Sequence, residues 1–394
     1  MRSRSPLDSF APSGDGSARS FGILSTFPPT ACGIATFSAA LAAGLVANGG
    51  TVDVVRCGAT PEMEDALVVA SLDDAMPGDV AGAINALNAS DVAIIQHEYG
   101  LFAGADGDSV LDVVTALDVP TIVVAHTVVH GPTANQRQVL ERVCDEADIV
   151  VVMTETARTR LLEGFDVEPS KVVMIPHGAA TPPSERVLGD DRSTRRAPRL
   201  LTWGLLGPGK GIEWAIDAVA SLADMRPRPS YVVAGATHPK VLAYSGESYR
   251  QMLISRAWSS GAAPMVSFDD AYRDLAALTE LIRSADVVVL PYDSKDQVTS
   301  GVLVDAVAAG RPVVSTAFPH AVELLGSGAG IVVPQRDPVA LAAALRAVLT
   351  DDDLAASMAA EARRLAPDLS WNAVAGQYDE LAGRLLAADD QVRT

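Results

Sequence analysis

From Phe21 onward the chain alternates short apolar runs, rich in β-branched residues, with longer segments whose apolar positions recur every three or four residues. In the first half the runs are FGILSTF, TVDVV, VAIIQ, TIVVA, DIVVVM and KVVMI. Apolar residues at consecutive positions predict strands covered on both faces, as in a parallel sheet. The segments between them, including GIATFSAALAAGL, VAGAINALNA and ANQRQVLERVCDEA, predict the covering helices. In the last of these Leu140, Val143 and Cys144 fall on one helical face.

The polar stretch from Thr181 to Pro198, TPPSERVLGDDRSTRRAP, breaks the alternation and reads as a crossing between domains. The pattern restarts as RLLTWG, SYVVAG, PMVSF, DVVVLP, RPVVST and GIVVP, with GIEWAIDAVASLA and GVLVDAVAAG among the helical segments. Near the end Trp371, Val374, Tyr378, Leu381 and Leu385 recur at helical spacing, so this helix must bury one face. The expected architecture is α/β: two doubly wound, Rossmann-like domains facing a central cleft. Their expected bounds are 21–185 and 199–368, joined by a linker at 186–198. A disordered tail is expected at 1–20, and a helix within 369–394 that crosses back to the first domain.

A length of 394 residues suits two cores rather than one. The formal net charge of -19 argues against nucleic acid as a partner and against adhesion to an anionic membrane. No apolar stretch is long enough for an integral membrane segment, and MRSRSPLDSFAPSGDGSARS lacks the apolar core of a signal peptide, so a cytoplasmic location is expected. Cys32, Cys57 and Cys144 have no metal-ligand spacing and read as buried thiols in a reducing compartment.

Candidate chemistry gathers at strand ends. His97, His126, His177, His238 and His320 each stand at or just past an expected strand, and His130 follows His126 by four residues. The carboxyl edge of an open parallel sheet is where such folds bind ligands, although polar residues also simply resume there. His126 and His130 could chelate zinc only on a helix, whereas the segment between them leads into a Gly-Pro turn, so no metal site is expected. Two turns suit phosphate. PPTACG, 28–33, follows the first strand, and Gly33 opens a helix whose amino end offers unpaired N–H groups. GLLGPGKG, 204–211, sets Lys210 at a second such mouth; it is not a Walker loop, and a plain helix-capping turn is the alternative. In QVTSGVLVDAVAAG, 297–310, Thr299, Ser300 and Gly301 are helix-start residues whose N–H groups suit an anion. Asp305, a turn further in, suits either ribose hydroxyls or an exposed helix face.

In this order PPTACGIATF, QHEYGLF, AHTVVHGP, the strand end at Val150 to Thr156, IPHG, GLLGPGKGIE and DQVTSGVLVDAVAAGRPVVST resemble glycosyltransferase family four. These are retaining nucleotide-sugar transferases of GT-B fold, and the resemblance runs from about Phe21 to Leu386. It implies that Gly33 lies on a donor-phosphate loop, that His126 faces the transferred sugar, and that Lys210 grips the donor diphosphate. It also implies that Asp305 binds ribose beside Ser300 and Gly301, and that His97, Glu98 and Tyr99 contact sugar or acceptor. Two positions depart from the family. The first acid of its E-x7-E block falls on Gln297, and the arginine after the first glycine of its phosphate loop falls on Leu205. Arg250, in GESYR, is the candidate replacement cation.

The activity implied is transfer of a hexosyl group from a GDP- or UDP-linked sugar to an unidentified carbohydrate or other small acceptor, with 21–185 on the acceptor side and 199–368 on the donor side. It would need no metal and no cofactor, because Lys210 and helix amides can stabilise the departing diphosphate. Two other readings are a GT-B nucleotide-sugar epimerase and a non-catalytic protein that binds sugar nucleotides. Oligomeric state has no signature in the sequence.

Overall fold

The structure is a computed structural model and describes residues 18–58, 65–73, 78–180, 197–271, 273 and 275–393. The expected tail, except its last three residues, and the expected linker, except Ala197 and Pro198, lie outside the described residues.

The consecutive apolar runs become strands because only a two-sided cover satisfies them. One parallel sheet contains β1 (Ser20–Ser25), β2 (Thr51–Cys57), β3 (Val68–Leu72), β4 (Val92–His97), β5 (Thr121–Ala125), β6 (Ile149–Val152) and β7 (Val172–Met174). Its order is β3-β2-β1-β4-β5-β6-β7. The second contains β8 (Arg199–Trp203), β9 (Ser230–Ala234), β10 (Val266–Asp269), β11 (Val287–Leu290), β12 (Val313–Thr316) and β13 (Gly330–Val333), in the order β10-β9-β8-β11-β12-β13. β3 was not among the expected strands. It is an edge strand, only partly covered, so its apolar pattern is weak. In each sheet the chain order reverses beside the first strand, between β1 and β4 and between β8 and β11. Those two points are where a doubly wound sheet opens a crevice.

The first sheet is covered by α1 (Gly33–Ala47), α2 (Asp79–Asn88), α3 (Leu111–Val114), α4 (Ala134–Glu146) and α5 (Glu155–Gly164). The second carries α6 (Ile212–Ala220), α7 (Pro239–Ser245), α8 (Ser248–Ser259), α9 (Leu275–Arg283), α10 (Gly301–Ala308), α11 (Pro319–Leu325), α12 (Pro338–Thr350) and α13 (Asp352–Leu365). Side chains at the helix starts satisfy otherwise orphaned N–H groups. Thr133 and Gln136 form a reciprocal capping box on α4, and Asp337 and Asp351 cap α12 and α13. Cys32 does the same for α1, accepting from the Ala35 N–H at 3.3 Å. Cys57 and Cys144 are buried, but Cys32 is only half-buried, because a capping residue sits at the exposed helix end.

The last helix, α14 (Trp371–Arg393), returns to the first sheet. Val374, Ala375, Tyr378, Leu381 and Ala382 are buried in one cluster with Phe37, Leu41 and Leu45 of α1 and with Phe21 and Ile23 of β1. Where the chain passes back, the Ala179 N–H donates to the Leu369 carbonyl (2.7 Å) and the Trp371 N–H to the Ala179 carbonyl (3.1 Å). The Trp371 indole lies so close over Gly178 that a Cβ there would stand 2.4 Å from the ring. Only glycine fits under it.

The domains also meet directly. Val298 is buried in a core cluster of the first domain, and the Thr154 hydroxyl donates to its carbonyl at 3.0 Å. Glu323 of α11 accepts from the Glu155 and Thr156 N–H groups at 2.8 and 3.0 Å, so a carboxylate of one domain caps α5 of the other.

Candidate active site

The site assembles at the carboxyl edges of both sheets. His126 follows β5 and is half-buried, its ring edge-on to Phe37 at 4.8 Å. Its Nε2 lies 2.6 Å from Oε1 of Gln96 in β4. An amide oxygen only accepts, so in this assignment Nε2 carries the proton and Nδ1 is left as an acceptor. Burial, with His177 and His97 adding to it, lowers the His126 pKa to about 3. The ring is therefore a neutral imidazole throughout the working pH range. Opposite it stands the loop between β11 and α10. Together His126, Thr127, Ser294, Asp296, Gln297, Val298 and Thr299 line an open cavity of ≈ 220 Å³.

Lys210 stands in the turn between β8 and α6. Gly209 and Gly211 flank it at φ 88° and 63°, a backbone that other residues rarely adopt. A Cβ at Gly211 would also lie 1.9 Å from the Pro291 carbonyl oxygen. Between these glycines the Lys210 ammonium is held 4.4 Å over the Tyr292 ring. It has no ion-pair or hydrogen-bond partner among the described residues.

Asp305 lies one turn into α10, half-buried, and its carboxylate also has no partner among the described residues. Burial raises its pKa to about 7. The native chain thus keeps a proton that the unfolded chain gives up above the ordinary carboxylate range. This group's stabilisation should be fully present below about pH 4 and lost as pH rises through 7. Denaturant melts of wild type and Asp305→Asn between pH 4 and 8 should show that slope in the wild type and a flatter one in the variant. Identical slopes would show that Asp305 is already ionised in the free protein.

The structure places the other candidates unevenly. Ser300 caps α10 through its hydroxyl, but its own N–H donates to His320 Nδ1 at 2.8 Å, so that amide is engaged. Gly301 faces the His177 ring, 2.9 Å from where its Cβ would be. Gln297 donates to the Thr299 carbonyl. Gly33 faces open space at the start of α1. Of the HEYG residues, Glu98 accepts from the Thr127 hydroxyl beside the cavity, and burial raises its pKa. His97 is wholly buried, Tyr99 nearly so, and they pack edge-on at 5.4 Å, so neither presents its ring to the cleft. Arg250 is held by Glu247 at 3.3 Å and by the Gly235 carbonyl at 2.6 Å. Gly33, Lys210, Ser300, Gly301 and Asp305 do not line the cavity that joins His126 to Gln297.

Sequence reasoning passed over two residues, Gln96 and Lys240, and gave His320 a place at a strand end but no partner. Gln96 sets the His126 tautomer. His320 takes the Ser300 amide. Lys240, at the start of α7, brings its Nζ to 2.7 Å from where a Cβ on Gly100 would stand, and its charge opposes the rise at Glu98. No local pattern announces a contact across the cleft.

Two facing Rossmann-like domains, with a cation-bearing glycine turn on one side and a histidine on the other, make up a fold of the GT-B type. Residues 31–181 match the family described as Glycosyltransferase Family 4, and residues 197–351 match Glycosyl transferases group 1. The chain is 27% identical over 274 residues to D-inositol 3-phosphate glycosyltransferase of Corynebacterium efficiens, covering 66% of this chain and 62% of the relative. It is 31% identical over 265 residues to the enzyme of that name in Geodermatophilus obscurus, covering 64% and 55%. The match thus spans less than two thirds of these relatives' length. In fold it resembles sucrose-phosphate synthase of Thermosynechococcus elongatus (TM-score 0.73, 19% identity, 94% of this chain and 100% of that one). It also resembles Anabaena HepE in complex with UDP (TM-score 0.71, 17% identity, 93% and 100%). Among the described residues no helix is long and apolar enough to cross a membrane.

Proposed function

We propose that the chain transfers a hexosyl group from a nucleoside diphosphate sugar, with retention and without a metal, to an acceptor held by the first domain. The observation that carries this reading is the pair of unanswered polar groups on the second domain. A half-buried ammonium at Lys210 suits a diphosphate, and a half-buried carboxyl group at Asp305, which can donate or accept, suits the hydroxyls of a ribose. UDP, bound by the Anabaena protein, is the first nucleotide to test.

In this mechanism the bond between the anomeric carbon and the diphosphate oxygen breaks. The acceptor hydroxyl forms its bond on the same face and passes its proton to the departing phosphate oxygen. Lys210 meets the charge that grows on that diphosphate, which is largest in the transition state. His126 is too weak a base to take the acceptor proton. Its Nδ1 instead accepts a hydrogen bond from a hydroxyl of the sugar and holds the donor in position.

His126→Ala should then lower kcat about ten- to a hundredfold, the scale of one well-placed hydrogen bond in a dry site. Its affinity for the nucleoside diphosphate should stay near that of the wild type, because the free nucleotide lacks the sugar. Steady-state transfer and calorimetric binding of UDP and GDP, both in excess EDTA, test this. A His126→Ala protein that turns over normally, or activity abolished by EDTA, would overturn the mechanism.

A further inference from the structure

The lysine turn of the second domain has a carboxylate beside it that does not take the lysine. The Asp293 N–H donates to the Gly209 carbonyl at 2.8 Å, so the backbone of Asp293 is bonded to the residue before Lys210. The ring under the Lys210 ammonium belongs to Tyr292, the residue before Asp293. The two side chains therefore start from adjoining backbone, and the flexible four-carbon stem of a lysine can follow a carboxylate over that range. Yet the Asp293 carboxylate is paired elsewhere. Nε of Arg336, in the turn between β13 and α12, donates to its Oδ2 at 2.7 Å. A second carboxylate close after the lysine turn, Glu213 of α6, is likewise engaged, accepting from the Tyr249 hydroxyl at 2.9 Å.

Neither backbone nor stability accounts for an arginine at 336. Its φ of 59° is left-handed, a conformation that glycine and asparagine adopt readily and an arginine does not. Its side chain is 68% exposed against 17% for Asp293, and an ion pair with so exposed a member adds little to stability. Nor is a charge needed to brace the loop that lines the cavity. Gln335 does that without one, donating to the Ser294 carbonyl at 2.9 Å. What the guanidinium does at this position is occupy Asp293.

We propose that Arg336 is a positioning residue: by holding the Asp293 carboxylate it leaves the Lys210 ammonium unpaired, over Tyr292, and open to the diphosphate. The word diphosphate rests on the proposed function; the competition of Arg336 and Lys210 for one carboxylate does not. A lysine paired with Asp293 brings no net charge to an incoming anion, and that pair has to break before the anion is held. Arginine suits the task because its guanidinium is always charged and grips a carboxylate more firmly than an ammonium does. Arg336 acts through Lys210 and has no need to touch the substrate.

The test uses the full chain with Arg336→Asn, Arg336→Lys, Asp293→Asn and the double variant Arg336→Asn/Asp293→Asn. Asparagine keeps the left-handed backbone and removes the charge. Calorimetric affinity is measured for UDP and GDP. Without nucleotide, the rate at which acetic anhydride acetylates the Lys210 amine is followed by peptide mass spectrometry. Arg336→Asn should lose about tenfold in affinity, the scale of first breaking one partly exposed ion pair. Its Lys210 should also acetylate severalfold more slowly, because an ammonium held by a carboxylate gives up its proton less readily. Arg336→Lys should keep most of both. The double variant should regain both, and Asp293→Asn alone should match the wild type or exceed it. Affinity lost in Arg336→Asn and not regained in the double variant would show Arg336 touching the nucleotide itself, and would overturn the proposal. So would Lys210 acetylation that is equally fast in Arg336→Asn and the wild type. If neither UDP nor GDP binds the wild type, the transferase reading fails, while slower acetylation in Arg336→Asn that the double variant relieves upholds the role of Arg336.

Discussion

Lys210→Ala is expected to lower kcat/KM roughly a hundredfold or more, the scale of losing one preorganised electrostatic contact at a developing charge. The ammonium is unusually well fixed for a lysine. The turn that carries it has left-handed glycines on both sides, and the Tyr292 ring lies beneath it at 4.4 Å. A charge held in place before the reaction need not reorganise when the diphosphate departs. Nucleoside diphosphate affinity should weaken by a smaller factor, since the ground-state donor carries less charge on the bridging oxygen than the transition state. Lys210→Arg should not restore the rate, because a planar fork cannot occupy the site of a compact ammonium over Tyr292. The decisive measurement is the pair of kcat/KM and diphosphate Kd for each variant. Equal losses in both would reduce Lys210 to a binding residue.

Truncation after Pro367 is expected to prevent the first domain from folding, although no residue before β8 has been touched. Val374, Tyr378 and Leu381 are buried in its core cluster, and each contributes on the order of 1.5–3 kcal/mol. Their loss, with the exposure of Leu41 and Leu45 that follows, is comparable to a whole domain's margin of roughly 5–15 kcal/mol. Because the truncated chain will not report a graded effect, Tyr378→Ala supplies one. Its ring is wholly buried, so the variant should lose about 3–5 kcal/mol. A truncated protein that melts as the wild type does would show that α14 merely rests on α1.

The alternation of strands and helices was legible because it is a local property, and a run such as VAIIQ has the same meaning wherever it folds. β3 was not, because an edge strand with one half-open face has no reason to be uniformly apolar. In the site, the approximate places of His126, Lys210 and Asp305 could be read as strand and helix ends. Which way a residue faces there could not. Gln96 and His97 are neighbours, yet one step along a strand reverses the face: Gln96 reaches His126, and His97 packs edge-on against Tyr99. The engagements of Ser300 with His320, of Arg250 with the Gly235 carbonyl and of Lys240 with the opposite loop join segments distant in sequence or in separate domains. No spacing rule reports such partners.

The return of α14 has a consequence for how the chain is made. A ribosome delivers the first sheet complete by β7, but the residues that close its core, near Tyr378, are about 200 positions later. At ~5–20 residues per second that interval is roughly 10–40 s, long enough for the second domain to emerge and fold first. Throughout that time the α1 surface around Leu41 and Leu45 has no cover of its own. The nascent first domain waits as an open template until α14 emerges and finishes it.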